Sequence, residues 1–122
     1  MLSSKVDGLF IFFGSLENEA YFRKLEKTEK TPIVFLARYL DNCSIPYVAV
    51  DNRYAAKCMV EYVYAKGHRK LTYIDTSGGA MLSPMRDRRK GVEAECEKIG
   101  IEYQVYKFQA QKDDIEAGYK AE

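Results

Sequence analysis

From residue 47 onward the apolar pattern keeps changing its period. Short dense runs such as Tyr47-Val48-Ala49-Val50, Leu71-Thr72-Tyr73-Ile74 and 103–108 alternate with longer stretches whose apolar residues recur at helical spacing. Strand, helix, strand, helix, strand is the rhythm of βαβ units, in which crossover helices join parallel strands, so the class is α/β. The punctuation agrees with the period. Asp51 or Asn52 can cap a helix over 53–66, Ala56, Val60 and Val63 form its buried stripe, and Gly67 supplies the left-handed residue that ends it. Ser83-Pro84 opens a helix over 85–99 with Val92, Cys96 and Ile99 on its core face, and Gly100 stops it. A further helix is expected from Asp113.

Upstream, 6–13 is an apolar run broken only by Asp7 and Gly8, the pattern of a parallel strand covered on both faces. Residues 17–30 follow as an amphipathic helix with Ala20, Tyr21, Leu25 and Thr28 on one side, and Pro32 opens a strand over 33–36. The segment 38–46 then lacks the dozen or so residues of a parallel crossover, yet another strand, 47–50, begins at once. The strands 33–36 and 47–50 are therefore expected either to pair antiparallel or to belong to different sheets. The polar, Pro-containing stretch 41–46 favours the second arrangement. The expected organisation is 1–40, a connection over 41–46, and 47–122.

Composition narrows the function. With 122 residues there is room for one compact domain or two small lobes. Nineteen basic against eighteen acidic residues give a net charge of +1, without the basic excess of a stand-alone nucleic-acid binder. No apolar run approaches a membrane span, and Met1-Leu2-Ser3-Ser4-Lys5 leads into a strand without a secretion leader, so a cytoplasmic protein is expected. Cys43, Cys58 and Cys96 are an odd set without CxxC spacing and read as reduced thiols. The acidic residues lack metal-ligand spacing, and no cofactor is expected.

In open α/β sheets ligands collect at the carboxyl ends of the parallel strands. The positions there are Gly14 and Ser15, Ala37 and Arg38, Asp51 and Asn52, the segment 75–88, and Gln109 onward. Arg88 stands out, because a guanidinium in the first turns of a helix can reach over such a cleft and donate to sugar hydroxyls or a carboxylate. By spacing alone the run Arg86, Arg88, Arg89, Lys90 reads better as a solvated face. Ser77-Gly78-Gly79 matches no phosphate-loop pattern and reads as a connector. His68, the only histidine, lies just past a helix end and reads as a cap rather than a catalyst. The ten tyrosines and six phenylalanines offer stacking surfaces for a sugar ring, although most belong to strands or helix stripes where core packing is the default.

Taken in order, Val6 to Ser15, Pro32-Ile33-Val34-Phe35-Leu36-Ala37-Arg38, Val48-Ala49-Val50-Asp51-Asn52, Gly67-His68-Arg69-Lys70 and Arg88-Arg89-Lys90-Gly91 have the spacing of the effector-binding core of lactose-repressor-type transcription regulators, which the chain resembles over nearly its whole length. The resemblance implies a periplasmic-binding-protein-like fold: flavodoxin-like lobes, parallel sheets flanked by helices, and a sugar or small metabolite bound between the lobes. It makes 1–40 the end of the amino-terminal lobe and 47–122 the start of the carboxyl-terminal lobe. It puts the effector arginine of the family's RxxG motif at Arg88, with Ala37 facing the cleft and Ser83 matching a cleft-facing serine, and Ser15, by its place after the first strand, completes the candidate effector site. Ala37 departs from the family, which often has an aspartate there. The implied protein is a homodimer, with no membrane and no enzymatic activity, and its DNA contacts come from a helix-turn-helix domain absent from this chain. A fragment cut at both ends is therefore expected. A solute-binding protein of a transport system, which shares the fold, is the alternative.

Overall fold

Burial decides how much of each apolar run becomes strand. In the computed structural model, which describes residues 6–28, 30–76 and 81–108, the chain divides into two units, Met1–Val50 with Leu82–Pro84 and Asp51–Met81 with Met85–Glu122. The division falls after Val50 rather than within 41–46. The first unit contains β1 (Leu9–Ile11), α1 (Glu19–Thr28), β2 (Ile33–Leu36) and β3 (Tyr47–Val48). The second contains α2 (Asn52–Ala65), β4 (Lys70–Asp75), α3 (Ser83–Ile99), whose Ser83 and Pro84 group with the first unit, and β5 (Glu102–Lys107).

The first unit is a parallel sheet of order β1-β2-β3, with Leu9 opposite Ile33 and Phe35 opposite Tyr47. This corrects the expectation that β2 and β3 could not be parallel neighbours. Their connection dispenses with a crossover helix because it buries Leu40 and Ile45, which take the place of a helix stripe. Its backbone is held from α1: Arg23, paired with Glu19 at 2.7 Å, donates to the Asp41 carbonyl at 2.8 Å, and Glu26 Oε1 accepts the Ser44 amide at 2.5 Å. Only two residue pairs have to be brought into register.

Two further expectations change. The run 6–13 pairs only over Leu9–Ile11, and Phe10 and Phe12 are 77% and 64% exposed, so this strand is not covered on both faces among the described residues. In α1 the buried residues are Phe22 and Leu25, while Ala20, Tyr21 and Thr28 are exposed. The ring without a hydroxyl takes the core. Phe22 meets Phe13 and Phe35 at centroid distances of 5.4 and 5.6 Å, and Phe13 lies edge-on to Phe35 at 5.1 Å, an arrangement worth about 1 kcal/mol per pair beyond area burial.

The second unit follows its sequence closely. β4 and β5 are parallel in register from Lys70 opposite Glu102 to Asp75 opposite Lys107. Ala56 and Val60 of α2, Val92 and Cys96 of α3, and Ile101 form the core, with Leu71, Tyr73, Ile99 and Tyr103 packed against it. Asp51 caps α2 by accepting the Tyr54 amide at 3.0 Å. Gly67 and Gly100 follow α2 and α3 with φ of 93° and 79°, left-handed values that favour glycine and end each helix. Gly91 matters for another reason: a Cβ there would come within 2.7 Å of the Arg53 carbonyl oxygen and 2.8 Å of the Ala56 Cβ, so its bare backbone lets α3 press directly onto the first turns of α2. The helix expected from Asp113 lies outside the described residues.

Candidate functional site

The close crossing at Gly91 sets the geometry one helical turn earlier. Arg88 Nε donates to Asn52 Oδ1 at 2.9 Å, joining α3 to the first residue of α2. Asp51 takes the cap, and Asn52 is buried, 8% exposed, whereas Arg88 is exposed. At the carboxyl end of β4, Arg89 Nη1 donates to Asp75 Oδ2 at 3.4 Å, and its Nε lies 3.8 Å from Glu93. Tyr73 belongs to the same electrostatic neighbourhood. Burial pushes its phenol up, Asp75 adds to the rise, and Arg88 and Arg89 pull against it. A mostly apolar cavity of about 380 Å³ lies in this unit, lined by Ala55, Met59 and Val63 of α2, Leu71 and Tyr73 of β4, and Arg88.

The basic run of α3 thus separates by partner. Arg86 lies 3.9 Å from Asp87 Oδ1, and Arg89 faces Asp75 and Glu93, whereas Arg88 meets a neutral amide. With Nε engaged by Asn52, the two Nη groups remain as donors, suited to hydroxyl or carboxylate oxygens.

In the first unit Ala37 ends β2 in the left-handed region at φ 65°, and its amide donates to the Val48 carbonyl at 2.7 Å. Arg38 donates to the Phe13 carbonyl and lies 4.5 Å from the centre of the Phe12 ring. Tyr39 stacks on Tyr47 at 4.7 Å, and its amide donates to Ser83 Oγ at 3.0 Å. Ser83 retains its hydroxyl proton as a donor. Ser15 Oγ accepts the Glu17 amide at 3.4 Å, a local turn contact.

Of the residues singled out in the sequence, Ser83 and the strand end carrying Ala37 belong to the first unit together with Ser15, and Arg88 belongs to the second. His68 is not the side chain that caps α2. Arg69 does this, donating to the Tyr64 and His68 carbonyls at 2.9 Å each and lying 3.8 Å over the Tyr64 ring. The Asn52–Arg88 bond escaped sequence reading, since adjacent Asp51 and Asn52 were equal candidates for the cap. Its only signal was the glycine three residues after Arg88. Ser77-Gly78-Gly79 and Gln109 lie outside the described residues. Burial pushes the Cys43 and Cys96 thiols up, away from the reactive thiolate. Among the described residues no cluster of His, Cys, Asp or Glu could hold a metal, and no helix is long and apolar enough to cross a membrane.

Residues 1–122 match the family model described as periplasmic binding proteins and sugar binding domain of LacI family. Similar solved structures include a LacI family transcriptional regulator from Bifidobacterium animalis subsp. lactis (TM-score 0.74, 19% identity, covering 95% of this chain and 41% of that one). The transcription regulator CcpA of Lactococcus lactis is similar at TM-score 0.68 and 26% identity, covering 87% of this chain and 39% of that one. A periplasmic binding protein/LacI transcriptional regulator from Alkaliphilus metalliredigens, complexed with D-xylulofuranose, gives TM-score 0.66 and 20% identity, covering 92% of this chain and 39% of that one. The chain thus spans about two fifths of the length of these structures. Among curated protein sequences none matches it.

Proposed function

This chain belongs to the family of periplasmic binding proteins and LacI-type sugar-binding domains, and we propose that it is part of the effector-binding core of a transcription regulator, with a sugar or similar small metabolite as effector. The observation that carries this reading is Arg88: an exposed residue in the second turn of α3, held through Nε and matched to an amide rather than a carboxylate. Such a group gives a polyhydroxylated ligand two donor nitrogens, with four N–H groups in one plane.

In this proposal the first unit is the end of an amino-terminal lobe and the second the start of a carboxyl-terminal lobe. Ser83 donates its hydroxyl proton to the ligand, Ser15 lies at the mouth of β1, and Ala37 supplies backbone and shape without a polar side chain. The ligand acts through differential affinity for two arrangements of the lobes, and in the intact homodimer that difference biases DNA binding by a helix-turn-helix domain. The protein is then a cytoplasmic binding domain without catalytic activity. Names of the structural neighbours support a regulator over a solute-binding protein of a transport system, since those from Lactococcus lactis and Bifidobacterium animalis are called transcription regulators.

A thermal-shift panel of pentoses and hexoses tests the reading. At least one sugar raises the melting temperature of this chain, and Arg88→Ala cuts the rise severalfold while melting within a few degrees of the parent. A panel in which no sugar acts, or in which Arg88→Ala responds like the parent, overturns it.

A further inference from the structure

We infer that Asn52 is a positioning residue for the ligand-reading arginine, and that it keeps the charge of Arg88 available to the ligand while fixing where the guanidinium points. The inference rests on the effector reading of Arg88.

Three observations converge on it. The first is economy of roles at the start of α2. A single side chain would ordinarily cap the helix, but Asp51 does so here, accepting the Tyr54 amide at 3.0 Å. The following residue, a buried amide, accepts from Arg88 Nε at 2.9 Å instead. A buried amide oxygen meeting a guanidinium is a charge-assisted bond that fixes direction without cancelling charge.

The second is the contrast along α3. Arg86 has Asp87, and Arg89 has Asp75 and Glu93, within 4 Å, so their charges are offset by carboxylates. Arg88, by contrast, makes its side-chain hydrogen bond to the neutral Asn52. Aspartate at position 52 would make the same hydrogen bond and neutralise the group. The amide keeps a full positive charge on Nη groups that are already oriented.

The third is Gly91. The bond requires the first turn of α2 to lie against the second turn of α3, and a side chain at 91 would meet the Arg53 carbonyl at 2.7 Å. The arginine and the glycine three residues later are therefore two parts of one device. The glycine brings the helices together, and the amide then catches the guanidinium.

The test follows the Arg88 side chain by 15N NMR in this chain, Asn52→Ala and Asn52→Asp, each with and without D-xylulose and D-ribose as probes. The Arg88 Nε–H exchanges slowly with water in the parent, about tenfold faster in Asn52→Ala, and slowly again in Asn52→Asp. The sugar that shifts the Arg88 Nη resonances of the parent shifts them less in both variants, in Asn52→Ala because the plane is lost and in Asn52→Asp because the charge is offset. Equal Nε–H exchange in the parent and Asn52→Ala overturns the positioning role, and so does parent-like sugar affinity in Asn52→Asp. If Asn52→Ala does not fold, Asn52→Asp alone decides: slow exchange with weakened sugar response supports the inference, and any other pairing refutes it. Exchange that follows Asn52 while neither sugar moves Arg88 overturns the effector reading and leaves the Asn52–Arg88 clamp standing.

Discussion

Replacing Gly91 by alanine sets two known effects against each other, and the structure says which wins. In a helix interior alanine is favoured over glycine by about 1 kcal/mol, so a glycine with open space around it would be improved by the change. Gly91 has no such space. The added Cβ would come within 2.7 Å of the Arg53 carbonyl oxygen, 2.8 Å of the Ala56 Cβ and 3.0 Å of the Arg53 Cα, and two of these three atoms are backbone. Backbone inside a helix cannot swing aside as a side-chain tip can, so α2 and α3 must separate locally. Overpacking of this kind costs about 1–3 kcal/mol, and at such short backbone distances the upper half of that range applies. The expected net loss is about 1–2 kcal/mol, and for a unit of this size each kcal/mol lowers the melting temperature by roughly 4–8 °C. The assay is thermal unfolding followed by circular dichroism, with Gly14→Ala as control, because a Cβ at Gly14 meets nothing within 4 Å. Gly91→Ala should melt clearly below the parent and speed Arg88 Nε–H exchange, while Gly14→Ala leaves both unchanged. A Gly91→Ala protein that melts at or above the parent refutes the reasoning, because propensity would then have outweighed the contact.

Other expectations concern the first unit. Phe35 is fully buried between Phe13 and Phe22, so Phe35→Ala should cost about 3–5 kcal/mol in chemical unfolding, and a loss below 1 kcal/mol would contradict this aromatic core. Ala37→Gly relieves a left-handed strain of about 1–2 kcal/mol but adds freedom to the unfolded chain worth about 0.4–1 kcal/mol, so a small net gain is expected and a clear loss of stability counts against it. Hydrogen bonding from the Ser44 amide is the main cause that holds Glu26 below its ordinary value of 4.5. Because the folded value is depressed, its contribution is present above 4.5 and is lost as pH falls through the folded value. The Ser44 amide shift should therefore titrate with a midpoint below 4.5 and become flat in Glu26→Gln; a midpoint at or above 4.5 is the contrary result.

The second unit was legible because its local signals do not compete. Asp51, Gly67, Ser83-Pro84 and Gly100 bound two helices whose stripes, Ala56 and Val60 against Val92 and Cys96, meet in one core. The first unit was less legible for two physical reasons. A crossover was expected to need a helix, but Leu40 and Ile45 bury enough apolar surface for a loop to do the same work once Arg23 and Glu26 hold its backbone. The spacing of small and large apolar residues in α1 also left its buried side ambiguous, and the meeting of Phe22 with Phe13 and Phe35, a long-range contact, decided it. At the site, Arg88 could be picked out from its place after a Ser-Pro helix start. Its partner could not be picked out, because the choice between Asp51 and Asn52 as cap depends on a helix crossing that only Gly91 hints at.

The most direct test of Asn52 and Arg88 acting as one ligand-reading unit is a double-mutant cycle in sugar affinity, using the parent, Asn52→Ala, Arg88→Ala and the double variant with whichever pentose or hexose binds the parent. If Asn52 acts through Arg88, the double variant binds no more weakly than Arg88→Ala alone. If the two losses add, Asn52 and Arg88 act separately and the account is contradicted.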